Sequence, residues 1–330
     1  MGASRKTGRQ LTVVRFRPER AHEWDAFVWA ANNGTLFHTR KFLSYHPPER
    51  FRDHSLFFLE EGRIAAVFPA AEREQEQGRF LVSHPGASYG GFVVPQAINL
   101  ERAFDLVETL LTYAGRQGFR GVEMTLPPIF YSRKINHYLD FALFRSGFDY
   151  RKREVSSFVT LDFSEDEVLA TFKNEARTAV RRAQKLGVEV RESEDYASFY
   201  PILQRNLKLR HNVRPTHTLE ELQRLHRLFP ERVQLFGAFL GEKMIAGVVM
   251  FHANPLVTLA FYISHDQEYQ RYRAVNLLFY EIFRRSIRRG FRYLDFGIFT
   301  VNMEPNWGLA RFKENFGSKG IFRDTFVMRI

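Results

Sequence analysis

The sequence predicts an α/β protein of two domains in tandem, each a mixed, mostly antiparallel sheet flanked by helices. Three observations predict it. The chain has 330 residues, about twice the usual single-domain length. Two short blocks recur in the same order in each half. The second half switches repeatedly between the twofold alternation of strands and the 3.6-residue spacing of helices.

The first repeated block is Gly62–Val67 (Gly-Arg-Ile-Ala-Ala-Val), which parallels Lys243–Val248 (Lys-Met-Ile-Ala-Gly-Val). Each lies in an apolar, β-rich stretch interrupted once by a charged turn containing glycine, which predicts a hairpin. The second block is Arg116–Glu123 against Arg288–Asp295, where a helical pattern stops at Gly118 or Gly290 and a strand follows. Hairpin, helix and strand therefore occur twice in that order, which points to duplication. A charged cluster at Tyr150–Arg153 sets the boundary, giving domains of residues 1–150 and 151–330.

In the second half, Ser164 and Glu167 form a capping box. Val168, Phe172, Ala176, Ala179, Val180, Ala183 and Leu186 then follow at helical spacing up to Gly187, which predicts one helix. A strand at 188–191, helices near 196–210 and 219–229, and three strands around 233–240, 243–251 and 256–264 come next. A helix at 274–289, a strand at 293–298, a short helix near 309–315 and a last strand near 321–328 complete the chain.

Lys and Arg number 48 against 37 Asp and Glu, a net charge of +11 that favours anionic partners: tRNA, nucleotide phosphates or acidic lipid headgroups at a membrane surface. The absence of cysteine excludes thiolate nucleophiles, disulfides and cysteine-ligated metals. No histidine stands at metal-ligand spacing with carboxylates, His211 and His217 included, so neither a metal nor a tightly bound cofactor is expected. No apolar run is long enough to span a bilayer and the polar start lacks the apolar core of a signal peptide, so the expected location is the cytoplasm.

The order β-α-α-β-β-β-α-β-α-β resembles that of GNAT-superfamily acyltransferases. Segments along nearly the whole chain resemble the Fem family of aminoacyltransferases: 24–28, 81–85 with Gly90 and Gly91, Glu175–Gly187 (Glu-Ala-Arg-Thr-Ala-Val-Arg-Arg-Ala-Gln-Lys-Leu-Gly), Leu294–Gly297 (Leu-Asp-Phe-Gly) and Arg311–Gly317 (Arg-Phe-Lys-Glu-Asn-Phe-Gly). This resemblance implies two GNAT-like domains, the first degenerate and contributing acceptor contacts, the second holding donor site and catalysis. It also implies N-acylation, with an aminoacyl group passing from aminoacyl-tRNA to an amine of a peptidoglycan precursor. The sequence lacks the long helical arm of the wall enzymes and is similar to a shorter branch met in exopolysaccharide loci. The donor is thus left open between aminoacyl-tRNA and an acyl thioester.

On the helix that ends at Gly187, Lys173, Arg177, Arg181 and Lys185 recur every fourth residue, a self-repelling stripe that an external polyanion would relieve; Arg177 and Arg181 are the candidate anion contacts. By resemblance, Phe312 and Lys313 lie at the substrate channel, with Lys313 binding phosphate or stabilising charge on a tetrahedral intermediate. Enzymes that use acetyl-CoA cradle its pyrophosphate in a glycine-containing loop. At 270–275 this chain puts Arg273 and Val275 at the two glycine positions, which is expected to obstruct close approach. Tyr272, Arg273 and Asn276 would then line a differently shaped donor site. Asp295, which strand alternation turns away from Leu294 and Phe296, is the carboxylate candidate for proton transfer, with Glu123 its counterpart in the first repeat. Tyr262 is a further candidate. A second class of function uses the same basic groove without catalysis, to bind RNA or an anionic glycan precursor.

Overall fold

The structure, a computed structural model, describes residues 10–211 and 214–330. Nothing of the polar N-terminal nine residues, or of the side chain of His211, belongs to the described part. The chain divides into two units, one running up to Arg153 and taking in Phe322–Ile330, the other Glu154–Ile321. The division falls inside a strand and not in a loop. The last strand, expected in the second domain, lies from Phe322 onward in the first, because its residues 325–329 pair with residues 121–125.

The first unit begins with strand β1 (Leu11–Arg15), helices α1 (Ala21–Ala30) and α2 (Arg40–Leu43), and strands β2 (Arg52–Asp53), β3 (Leu56–Glu60) and β4 (Arg63–Phe68). β5 (Ala71–Gln75), β6 (Gly78–Ser83), α3 (Leu100–Arg116), β7 (Gly121–Thr125), α4 (Tyr138–Arg145) and the start of β8 (Asp149–Thr160) follow. β3 pairs antiparallel with both β1 and β4. β6 pairs antiparallel with β5 and parallel with β7. Asn99 caps α3 by accepting from the Arg102 amide at 2.8 Å, and the chain leaves the helix through Gly118 at φ 74°. α3 buries Ala103, Leu106, Val107, Leu110 and Ala114, and α4 buries Leu139, Ala142 and Leu143, in one core with Leu81, Val122 and Met124.

The second unit continues β8, then α5 (Val168–Thr171), α6 (Asn174–Lys185), β9 (Glu189–Ser193), α7 (Tyr196–His211) and α8 (Leu219–Leu228). β10 (Val233–Leu240), β11 (Lys243–His252), β12 (Val257–His265), α9 (Ala274–Arg288) and β13 (Tyr293–Ile298) come next. The unit closes with the hairpin β14 (Thr300–Val301) and β15 (Glu304–Pro305), helix α10 (Trp307–Glu314) and the first residues of β16 (Lys319–Arg329). Its sheet order is β9-β10-β11-β12-β13-β8, antiparallel except for the parallel pair β12/β13. α9 lays Leu277, Leu278, Phe279, Ile282 and Phe283 on that sheet.

The repeated order of the sequence is present in the fold. A hairpin (β3–β4, β10–β11), then a helix (α3, α9), then a strand parallel to its predecessor (β7, β13) occur once in each unit. The single helix expected from Val168 to Leu186 is two. Phe172 takes extended geometry (φ −75°, ψ 147°), its ring packs edge-on against Phe283 and Phe316, and the Lys173 amide donates to Asn315 O at 2.8 Å. Tertiary packing here overrides a continuous helical pattern. Among the described residues no helix is long and apolar enough to cross a membrane.

Candidate active site

The parallel pair β12/β13 is joined only at Val257↔Tyr293, Thr258↔Leu294 and Leu259↔Asp295. β12 runs on to His265 and β13 to Ile298, so the strands diverge after Leu259 and Asp295. On the far side of β12 the pairing to β11 slips between Val249 and Met250, leaving Phe261 as an extra residue. Such a bulge bends a strand and re-aims the side chains that follow. β13 is irregular at the same level: its register to β8 shifts between Asp295 and Ile298, and Gly297 adopts φ 70°. A methyl group on Gly297 would meet no atom within 4 Å, so the backbone faces open space there. A glycine inside a strand is the sequence sign of such a place.

Lys313 closes one side of this divergence. α10 starts at Asn306, whose side chain accepts from the Leu309 amide, and presents Ala310 and Lys313 inward. Lys313 is only 2% exposed and its Nζ donates to Gly297 O and Ile298 O, both at 2.7 Å. Burial pushes this amine down to about 7, with the Asp295 carboxylate opposing the fall. Asp295 is fully buried. It accepts from the Gly297 amide at 2.7 Å and from Ser156 Oγ at 2.9 Å, which fixes the irregular turn of β13 to whose carbonyls Lys313 is bonded. Phe312 lies half-buried beside them, 5.2 Å from the Phe316 ring, in a cluster with Phe279 and Phe296. The structure therefore brings Asp295, Phe312 and Lys313 together.

The remaining candidates lie on elements that border this region. Tyr262 follows the bulge on β12 and is turned to His217, whose Nδ1 lies 2.9 Å from its hydroxyl. Burial pushes the Tyr262 hydroxyl up to about 12, so it holds its proton at neutral pH. His217 shows no sequence signal that would link it to Tyr262. Tyr272, Arg273 and Asn276 stand at the entry to α9. Arg273 is exposed and takes the left-handed conformation (φ 56°, ψ 30°) that favours glycine, at a cost of about 1 kcal/mol. The turn thus keeps a glycine-type backbone under an arginine side chain. Val275 packs against the core.

Arg177 is half-buried and Arg181 exposed on α6, and neither pairs with an acid; Arg182 and Lys185 are equally unpaired. Lys173 falls on the break before α6 and lies 3.5 Å from Glu314, so it drops out of the stripe. The first turn of α6 is tied to the end of α10 by Asn315, which donates to Glu175 at 3.2 Å. Glu123, the counterpart of Asp295, is bound by the exposed Arg151.

Residues 170–314 match the family model of the acetyltransferase (GNAT) domain. Among solved structures, FemX aligns at a TM-score of 0.73 and 15% identity, over 97% of this chain and 97% of that one. The C-terminal domain of a putative lysylphosphatidylglycerol synthetase from Agrobacterium fabrum aligns at 0.60 and 14%, over 94% and 91%. A tandem GNAT protein from the clavulanic acid biosynthesis pathway aligns at 0.53 and 14%, over 97% and 98%. No curated protein matches the chain. These findings give the chain an acetyltransferase (GNAT) domain at residues 170–314 and, over nearly its whole length, the fold of FemX and of the tandem GNAT protein.

Proposed function

We propose that the second unit transfers an aminoacyl or other acyl group from an activated donor, aminoacyl-tRNA or an acyl thioester, to an amine of a cell-wall or exopolysaccharide precursor. The observation that carries this reading is a buried lysine at the mouth of two diverging parallel strands, inside the segment that matches the GNAT model. The amine nitrogen attacks the donor carbonyl, a C–N bond forms, the C–O or C–S bond breaks, and the amine gives up a proton. Charge collects on the carbonyl oxygen during attack, and a preorganised cation in a water-poor site stabilises it. Lys313 supplies that cation, and Asp295 acts as a positioning residue through Gly297. Arg177, Arg181 and Arg273 hold the anionic end of the donor, as their unpaired guanidinium groups allow. Tyr262, protonated at neutral pH, gives its proton to the leaving oxygen or sulfur, and the phenolate so formed takes up the proton that the amine releases. The first unit contributes acceptor contacts.

The lysyl group that names the lysylphosphatidylglycerol synthetase neighbour supports an aminoacyl donor, as does the Fem resemblance. The test presents the purified protein with aminoacyl-tRNA and with acyl thioesters, plus amine-bearing wall and glycan precursors, and follows product by mass spectrometry. Turnover with one donor, lost in Lys313→Met while donor binding persists, supports the reading. No turnover with either donor, together with RNA or glycan binding that weakens in Arg177→Ala, would replace it with the non-catalytic one.

A further inference from the structure

Neighbouring side chains on a strand point to opposite faces, yet two consecutive residues of β12 reach one imidazole. Phe261 is the extra residue of the β12 bulge, and the ring centres of Phe261 and Tyr262 lie 5.3 and 5.8 Å from that of His217. Phe261 also stacks on Phe251 at 4.5 Å, so two phenyl rings border the histidine. The backbone at His217 is fixed from two sides: Tyr200 of α7 donates to its carbonyl oxygen at 3.0 Å, and Thr218, the next residue, caps α8. His217 is 3% exposed and Tyr262 8%.

Two nitrogens of His217 converge on the Tyr262 oxygen. The backbone amide donates to it at 3.2 Å, and Nδ1 lies 2.9 Å away. The shorter contact holds one hydrogen, supplied by the phenol or by the imidazole. Where the phenol donates, its proton is engaged by the imidazole and none is left for a leaving group. Where Nδ1–H donates, the phenol hydrogen turns out of this contact, and the oxygen keeps two donors after the proton departs. A phenolate buried in such a site needs them, because an unpaired charge away from water is costly. Burial pushes the Tyr262 hydroxyl up, and hydrogen bonding from the His217 amide and from Thr216 pulls against that shift.

We propose that His217 is the positioning residue for Tyr262: it donates from Nδ1 to the phenol oxygen, turns the phenol proton toward the leaving group and holds the phenolate that results. This inference rests on the acyl-transfer reading and on Tyr262 as its acid. As the C–O or C–S bond breaks, the Tyr262 proton passes to the departing atom, and the phenolate accepts from the His217 amide and Nδ1–H. The proton that the amine releases then restores the phenol, and His217 keeps its own hydrogens throughout.

The tautomer is read without substrate. In the full chain labelled at the histidine ring nitrogens, magnetic resonance should find the His217 hydrogen on Nδ1; a ring protonated on Nε2 alone overturns the proposal. Turnover is then compared between donors that differ only in leaving group, an aminoacyl alkyl ester and the para-nitrophenyl ester of the same amino acid, with the acceptor found for the wild type. Nitrophenolate departs without a proton. His217→Ala should therefore lose about tenfold or more in kcat with the alkyl ester and little with the nitrophenyl ester, at unchanged KM. His217→Asn, whose side-chain amide nitrogen takes the place of Nδ1–H, should recover most of that loss. Equal losses with both donors overturn the proposal, since a merely structural histidine would lower both alike. Absence of wild-type turnover with every donor and acceptor ends the acyl-transfer reading and this inference with it, whereas turnover by a chain whose His217 hydrogen sits on Nε2 ends this inference alone.

Discussion

The two units use the same order of elements and differ at one joint. In the first, β6 and β7 stay paired from Phe80↔Gly121 to Ser83↔Met124, the last residue of β6. The segment that follows then packs onto the strand ends: Gly90 N donates to Thr125 O at 2.8 Å and Gly91 N to Ser83 Oγ at 2.8 Å. In the second, the equivalent pair separates after three residues, and the space is bordered by a buried lysine. On α4, inward positions are Leu139, Ala142 and Leu143; on α10 they are Ala310 and Lys313. The same order of elements thus gives one joint sealed by backbone and one left open with a cation beside it. Apolar packing and full pairing maximise stability, so the unit that departs from both is where function is expected.

The largest effect should come from the cation. Lys313→Met removes the charge and keeps the bulk, and turnover should fall about a hundredfold or more, the cost of losing one preorganised stabiliser. Comparable turnover in the variant would show that the open joint works without it. The seal in the first unit is tested by Gly90→Ala, whose Cβ would lie 2.2 Å from Ser83 O and 2.3 Å from Ser83 C. Backbone cannot yield as a flexible side chain can, so stability should drop by about 3 kcal/mol in a denaturant titration. A drop under about 1 kcal/mol would mean the seal is loose and the contrast between units weaker.

Much of this contrast was written in the residues, and its decisive part was not. The repeated blocks at 62–67 and 243–248 announce two equivalent hairpins, and Gly118 and Gly290 mark two equivalent helix ends, both at positive φ. The Phe312-Lys313 pair stood out by resemblance. Its burial did not, because a lysine after a short apolar stripe reads as a solvated side chain until the partners at Gly297 and Ile298, distant in sequence, are known. Likewise, Arg273 was legible as standing at a glycine position of the loop, but not as keeping the glycine-like conformation there. Tertiary contacts impose both, and the same contacts break the helix at Phe172.

The pH dependence of stability separates a buried amine from a solvated one. Lys313 has a folded value of about 7 against an unfolded 10.5. Between these limits the unfolded chain binds a proton that the folded chain does not, so stability rises with pH across that window and is flat below it. From pH 7 to pH 9 the gain should be about 2 kcal/mol in wild type and near zero in Lys313→Met. Parallel curves for the two proteins would place the lysine in water. Turnover should move the opposite way, falling as pH rises through 7, because the proton that destabilises the fold is the one that stabilises the oxyanion.

The smallest effect on stability separates an open joint from a merely irregular one. Gly297 sits at φ 70° with no atom within 4 Å of where a Cβ would be, so Gly297→Ala should cost only the left-handed conformation, about 1 kcal/mol. Gly297→Leu should cost little more, since the longer side chain enters the same empty space. If that space is the donor's path, the leucine variant should lose about tenfold in turnover at nearly unchanged stability, because ligand and side chain compete for one volume. Stability loss without loss of turnover would mean that the strands diverge for packing reasons alone. The comparison between the two units would then reduce to a difference in how each closes its sheet.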